Sequence, residues 1–494
     1  MESFDLIIIG SGPAGYTAAT HALDFKKNVC IIEENHFGGA GIMNGALTSK
    51  AMWEISKDYS VAAAVDRGYR ANGLVIDYTE MRKSVIQAAR FKQFQMLSQV
   101  ETFSPIRSKE GSLVFVEGRA KFLNRKTIEV TKKDGTKQLL YGKYFLIATG
   151  SRPREISDIP SDGERIITSD HILNLKAFPE RIAIIGSGIV GCEFAAIFSN
   201  FKQTEVHLLD RAHRVIPYED DDVSDFVSRN LEKNGVNIYH SANLRTIRKY
   251  DTHLEVILDY EAGHSQVLEV DTALISIGRV PNVENLGLEN VGIEVNKRGF
   301  LDITDKCRLN PDENECNIFA AGDVTGSAQL FSIAEFEGRN AIEAMYGKDV
   351  SIPDYSTMST LMFFKPAVAA VGMNEKMLQK AKIPYRAVYY SNKLVNRAIA
   401  QRNTEGFVKI MVSDDENNQI LGMRAGGSQA SSFIISVAHF IKAGQNLHDV
   451  MNIIYPHPSM PEAIQDCLRV FDGKSIYKPS AFPDLIKVKS WKPE

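Results

Sequence analysis

Asp5-Leu6-Ile7-Ile8-Ile9-Gly10-Ser11-Gly12-Pro13-Ala14-Gly15 reads as a buried strand that runs into a glycine turn and then into an alanine-rich helix. The same pattern returns far downstream. Ile182 to Ile185 is a second strand, Gly186-Ser187-Gly188-Ile189-Val190-Gly191 a second turn, and Cys192-Glu193-Phe194-Ala195-Ala196 the start of a second helix. Strand, glycine turn and helix in this order form the dinucleotide fingerprint. Its glycines allow a tight turn and let backbone approach a pyrophosphate, to which the helix N-terminus offers N–H groups and its positive dipole end. Each copy is closed by an acidic residue at the end of the next strand. Glu33 ends Val29-Cys30-Ile31-Ile32-Glu33, 23 residues after Gly10, and Asp210 ends Glu205-Val206-His207-Leu208-Leu209-Asp210, 24 residues after Gly186. Both spacings suit a carboxylate on a ribose hydroxyl, expected about 20 residues on.

The composition frames this reading. The chain has 494 residues, 44% apolar and 24% charged, with a net charge of −4. The length predicts roughly three domains, and no basic stripe suggests a nucleic-acid partner. Five scattered cysteines (Cys30, Cys192, Cys307, Cys316, Cys467) form no C-x-x-C pair and no metal-ligand spacing, which fits a reducing compartment. No metal site is expected. The N-terminus has no basic leader and no run approaches the ~20 apolar residues of a membrane span, so a cytoplasmic protein is expected. Met52 to Glu101 reads as helices with a polar break near Arg67 to Asn72, and Pro353-Asp354-Tyr355 as a linker into a separate α+β domain.

These motifs, in this order and up to about residue 470, resemble the pyridine nucleotide–disulfide oxidoreductases, which include dihydrolipoamide dehydrogenase. Further matches are Gly118-Arg119-Ala120, Ile147-Ala148-Thr149-Gly150, Gly278-Arg279-Val280-Pro281-Asn282, Phe319-Ala320-Ala321-Gly322-Asp323-Val324 and Tyr455-Pro456-His457-Pro458-Ser459-Met460-Pro461-Glu462. The resemblance implies an α/β fold with two Rossmann-like FAD- and NAD(P)-binding domains and a C-terminal α+β dimerisation domain. The expected boundaries are 1–150 (FAD), 151–279 (NAD(P)), 280–350 (a return segment completing the FAD domain), 351–470 (dimerisation) and 471–494 (an extension). It implies FAD contacts at Gly10, Gly12, Gly15, Glu33, Ala120, Thr149, Gly150 and Asp323, the last on the ribityl chain. Nicotinamide cofactor contacts are implied at Gly186, Gly188, Gly191, Asp210, Arg211 and Gly278, and a homodimer is expected.

One segment departs from the family. Disulfide-using relatives carry two cysteines in a C-x4-C spacing after a Gly-Gly pair and before Pro-Ser-Lys. Here the segment reads Gly38-Gly39-Ala40-Gly41-Ile42-Met43-Asn44-Gly45-Ala46-Leu47-Thr48-Ser49-Lys50, so the cysteine positions fall on Gly41 and Ala46. Neither residue can supply the thiolate that disulfide exchange requires. Loss of two sulfurs is expected to leave space beside the flavin for an acceptor. Lys50 matches the lysine that the family pairs with the glutamate after the second fingerprint, here Glu193, where a cation stabilises charge on reduced flavin. His457 and Glu462 match a general acid–base dyad. Without thiols it either protonates another acceptor or is a retained structural pair.

Asp210 favours NAD(H), because a carboxylate pairs with a 2′-hydroxyl and repels a 2′-phosphate. Arg211 and Arg214 point the other way if either holds a phosphate. The expected activity is hydride transfer from NAD(P)H to FAD and on to a small, quinone-like acceptor. Alternatives are a soluble pyridine nucleotide transhydrogenase, a dihydrolipoamide dehydrogenase homologue without dithiol activity, and a non-catalytic NAD-sensing flavoprotein. Beyond Arg469, aromatic and apolar residues interleave with lysines. This tail is expected to be a strap on the dimer, or else a membrane-surface contact.

Overall fold

The computed structural model describes residues 2–493 other than 67, 109, 262, 310–316 and 348–353. Cys316, Arg67 and the linker proline Pro353 lie outside the described residues. The chain divides into two compact units.

The first unit comprises Met1–Ile55, Asn72–Phe178 and Leu274–Pro353. Its sheet grows from the strand Glu2–Ile9, where Leu6, Ile7 and Ile8 are wholly buried. Burial on both faces is what a central parallel strand requires, and each such side chain contributes about 1.5–3 kcal/mol on leaving water. Glu2–Ile9 pairs in parallel with Asn28–Glu33 on one side and Lys137–Ile147 on the other. Ser112–Glu117 extends the first edge, and the antiparallel strands Thr127–Thr131 and Arg119–Asn124 extend the second. The short strand Ile318–Ala320 returns to pair with Lys137–Ile147, in the register Ile318↔Phe145. The helix Pro13–Asp24 starts with proline at N1, where the missing N–H is harmless and φ is preset. It packs closely on the helix Phe331–Tyr346: a Cβ placed on Gly338 would lie 2.3 Å from the Ala14 carbonyl oxygen. Two more helices, Ala46–Ala62 and Tyr78–Thr102, match the helical reading of residues 52–101. Residues 151–178, placed by sequence with the nicotinamide domain, belong to this unit.

The second unit comprises Ser56–Ala71, Pro179–Ala273 and Asp354–Glu494. Arg181–Ile185 and Val236–Tyr239 flank Glu205–Leu209 in parallel. The helix Ile189–Phe201 follows Gly188, and nearly all of its residues are buried. A separate antiparallel sheet has the order Ser359–Met362, Val368–Gly372, Ile420–Gly426, Phe407–Ser413, Tyr385–Ser391, Ile486–Trp491. The last of these strands is the C-terminal tail. It pairs with Tyr385–Ser391, Trp491 stacks on Tyr385, Ile486 is buried, and Tyr477, Phe482 and Leu485 pack against the core of the same sheet. The tail thus ends as a strand of this sheet, with Ile486 buried and Val488 58% exposed. Among the described residues, no helix is long and apolar enough to cross a membrane.

Candidate active site

The two fingerprints solve the same local problem in the same way. In the first unit, Ser11 donates its backbone N–H (2.9 Å) and its hydroxyl (2.7 Å) to Oε2 of Glu33. In the second, Ser187 donates its backbone N–H (2.6 Å) and its hydroxyl (2.8 Å) to Oδ2 of Asp210. The other oxygen of each carboxylate accepts a backbone N–H two residues on, from Asn35 and Ala212 at 2.9 and 2.8 Å. Charge-assisted bonds of this kind fix a carboxylate firmly, and an ionised carboxylate still has lone pairs for a ribose hydroxyl. The serines were not singled out from sequence, although each occupies the second position of its fingerprint.

The glycines show the division of labour that a bound dinucleotide needs. Gly10 has φ +104°, and a Cβ there would lie 2.3 Å from the Ala148 carbonyl oxygen. On Gly15 it would lie 2.0 Å from the Gly10 oxygen, so helix and strand meet at their backbones. On Gly12 it would meet nothing within 4 Å, and the same holds for Gly188, Gly150 and Gly278. Tight glycines thus alternate with glycines facing open space, which is the room a pyrophosphate occupies. Gly186 repeats the left-handed turn with φ +103°, and Gly191 is buried in the first turn of its helix. The residues present fit two dinucleotides.

Around Asp323 the first unit is densely hydrogen-bonded. Ser151 donates its hydroxyl to Asp323 at 2.6 Å, and Arg279 donates to the Ser151 hydroxyl (2.7 Å) and carbonyl (2.6 Å). Thr149 donates its hydroxyl to the Asn282 carbonyl at 2.6 Å, while the Asn282 amide donates to the Thr149 carbonyl at 2.9 Å. The 149–151 and 278–282 segments are thereby stitched together beside the aspartate. Ala120 is buried within the strand pair Arg119–Asn124 and Thr127–Thr131. The fully buried Glu337 accepts the Gly322 N–H (2.7 Å) and the Ser327 hydroxyl (2.5 Å), so it holds both ends of the Asp323 turn. Sequence reading missed Glu337, Ser151 and the role of Arg279 because their partners are more than ten residues distant or lie on other elements.

The segment from Gly38 to Lys50 lies against the first fingerprint. The Gly38 N–H donates to the Ser11 hydroxyl at 3.0 Å, and a Cβ on Gly39 would come within 2.9 Å of the Gly12 Cα. Gly41 belongs to the short helix Gly39–Met43 and Ala46 opens the helix Ala46–Ala62. A Cβ on Gly41 would lie 2.8 Å from Pro13 Cγ and 3.0 and 3.1 Å from two ring carbons of Phe331. The Phe331 ring and Pro13 thus line the place where a side chain at position 41 would begin. The described cysteines are free and buried. Burial raises the thiol pKa of Cys30, Cys192 and Cys467 far above the usual value and that of Cys307 to about 12, so none of them supplies a thiolate near neutral pH.

Lys50 lies in the first unit, with its ammonium 3.4 Å from the Ser49 hydroxyl. Glu193, nearly buried in the second, accepts the Phe363 N–H at 3.0 Å. In the second unit, His457 Nδ1 and Glu462 Oε1 lie 2.7 Å apart, and Glu462 also accepts the Ser459 N–H at 2.6 Å. The carboxylate thus fixes the imidazole, leaving Nε2 for another partner. Arg214 is paired with Asp225 and approaches Asp221 at 3.8 Å, while Arg211 is exposed. One acidic cluster has metal-like geometry, Asp220, Asp222 and Glu375. Its centre is filled by the Lys409 ammonium, at 3.0, 2.8 and 2.5 Å from the three carboxylates.

Paired dinucleotide cradles, an aspartate-bearing turn completing the first, and a separate antiparallel C-terminal sheet fit an oxidoreductase that uses FAD and a pyridine nucleotide. The chain belongs to the pyridine nucleotide-disulphide oxidoreductase family, whose model matches residues 4–338 and whose dimerisation-domain model matches residues 358–468. It is similar to the dihydrolipoyl dehydrogenase of Bacillus subtilis (29% identical, covering 96% of this chain and 97% of that one). The Zymomonas mobilis dihydrolipoyl dehydrogenase is 28% identical, over 96% and 99%. Among solved structures it resembles LpdA from Mycobacterium tuberculosis (TM-score 0.84, 25% identity, 95% and 99% coverage). It also resembles the HOCl-induced flavoprotein disulfide reductase RclA from Escherichia coli, solved as a Cu(II) complex (TM-score 0.81, 25% identity, 95% and 99% coverage).

Proposed function

We propose that this chain is an NADH-oxidising FAD enzyme that passes two electrons to a small non-disulfide acceptor of the quinone type: NADH + H⁺ + quinone gives NAD⁺ + hydroquinone. The observation that carries the reading is the pairing of Gly41 with Phe331, together with the burial of the described thiols. A side chain at position 41 would crowd Pro13 and Phe331, which favours a route without sulfur there, and both glycine fingerprints support dinucleotide binding. Bound FAD supplies a two-electron relay between donor and acceptor.

The chain's own residues do the rest. Gly10, Gly12, Gly15 and Glu33 hold the adenine dinucleotide end of FAD, with Ala120, Thr149 and Gly150 lining its path and Asp323 on the ribityl chain. Gly186, Gly188, Gly191, Asp210 and Gly278 hold NADH. Arg211 lies at its ribose edge, and Arg214, held by Asp225, does not read a 2′-phosphate. Lys50 supplies the cation that stabilises charge on the reduced flavin, and Glu193 keeps the acidic role that the family resemblance gives it. In a homodimer, Glu462 orients His457 to deliver a proton to the reduced acceptor.

The test is turnover of the FAD-loaded protein with NADH and menadione, set beside turnover with dihydrolipoamide and NAD⁺. Quinone reduction without dithiol oxidation is expected. Efficient dihydrolipoamide oxidation would sink the reading.

A further inference from the structure

Phe331 is the first residue of its helix and 37% exposed, an unusual setting for a phenylalanine whose ring edge is fitted against a glycine. Its neighbours place it. The ring meets the position of a Gly41 Cβ at 3.0 Å, and Pro13 meets the same position at 2.8 Å. Pro13 opens the helix that follows the first fingerprint, and Gly38, just before, is tied to Ser11 of that fingerprint. The turn carrying Asp323 approaches the same helix, since a Cβ on Gly322 would be 3.2 Å from the Ala14 Cβ. Phe331 therefore stands at the rim of the first dinucleotide cleft, between the turn that carries Asp323 and the turn that carries Gly41. One edge of its ring is packed at the Gly41 position, while the residue as a whole is 37% exposed.

A buried phenylalanine would be core, and a fully exposed one would be incidental. A half-exposed ring wedged by a glycine at a cofactor rim is a fixed flat apolar surface. Aromatic rings stack in offset arrangements, worth about 0.5–1.5 kcal/mol beyond simple burial. We propose that Phe331 is a specificity-determining residue of the acceptor subsite: its exposed face stacks a planar quinone at the rim of the FAD cleft, and Gly41 is the residue that lets the ring sit there. This rests on the proposed quinone-reducing activity for its biological meaning, but not for its test.

The FAD-loaded protein is titrated with menadione in the absence of NADH, and binding is read from perturbation of the flavin absorbance. Phe331→Ala is expected to weaken menadione binding by roughly tenfold, and Phe331→Tyr, which keeps the ring, to stay within about twofold. Gly41→Ala, which pushes on the ring from behind, is expected to fall between them. Equal binding by the parent and Phe331→Ala, or no saturable binding by the parent, overturns the proposal. Should Phe331-dependent binding be seen while NADH and menadione give no turnover, the subsite stands and the quinone-reductase reading falls.

Discussion

Phe331 and Gly41 are complementary: the ring of one comes within van der Waals reach of where the other would begin a side chain. The two residues belong to different helices, 290 positions apart in sequence. A side chain added at position 41 would therefore press on Pro13 and on the Phe331 ring.

Gly41→Cys is expected to destabilise the FAD-loaded protein. Removing a helical glycine gains about 0.5–1 kcal/mol, but overpacking against Pro13 and Phe331 costs about 1–3 kcal/mol, and the second effect wins. In the Phe331→Ala background the cost should largely vanish. Denaturant unfolding of the four proteins in a double-mutant cycle measures this coupling, and strict additivity would show that the two residues do not compete for space.

An anaerobic NADH titration should end at one equivalent per FAD, with no long-wavelength thiolate-to-flavin absorbance. Disulfide-dependent relatives have a second two-electron couple to fill. The buried cysteines here hold their protons: even Cys307, the least shifted of the four described, is pushed up to about 12. Uptake of a second equivalent would reveal another redox centre.

Asp210→Ala should raise the apparent Kd for NADH by roughly tenfold, in line with loss of a hydrogen bond to a charged group, without creating a preference for NADPH. Arg214 remains paired with Asp225 and so offers no free guanidinium to a 2′-phosphate. Adding Asp225→Ala should then improve NADPH use selectively. Rapid-mixing flavin reduction with each nucleotide tests both steps, and NADPH preference in the unmodified protein would overturn the role given to Asp210.

Lys409→Met should cost about 3–5 kcal/mol at neutral pH, the usual cost of breaking a buried pair. The lysine sits among three carboxylates, and its 2% exposure leaves little water to screen them once it is gone. Burial pushes Glu375 up, but the charge and hydrogen bond of Lys409 and further hydrogen bonds from Lys489 and Tyr385 more than offset this, holding it at about 2. Its folded pKa lies below the usual 4.5. The stabilisation is therefore complete above that value and is lost as pH falls from 4.5 toward 2. The variant's deficit should shrink in acid, as the stranded carboxylates take up protons. Unfolding at pH 7 and pH 4 checks the sign, and a deficit that grows in acid would contradict it.

Much of the scaffold was legible because it is local. The strands Glu2–Ile9 and Arg181–Ile185, their glycine turns and the closing acids follow from short-range pattern alone. The antiparallel tail strand was legible in principle, since Ile486-Lys487-Val488-Lys489 alternates with period two, but the interleaving of aromatic residues and lysines also suggests a surface contact. Glu337 could not be found this way, because its importance lies in reaching the turn at Gly322 from a later helix. Nor could Phe331, whose meaning depends on contact with a residue missing a side chain.

The strand Ile318–Ala320 joins a sheet whose other members are complete by residue 147. On the ribosome, some 170 residues of intervening chain must emerge before that last strand can dock, and Asp323 arrives only with it. Closing so distant a contact is slow relative to local structure. With Asp323 on the flavin as proposed, truncated nascent chains that end before it should be colourless even where their first fingerprint has already folded.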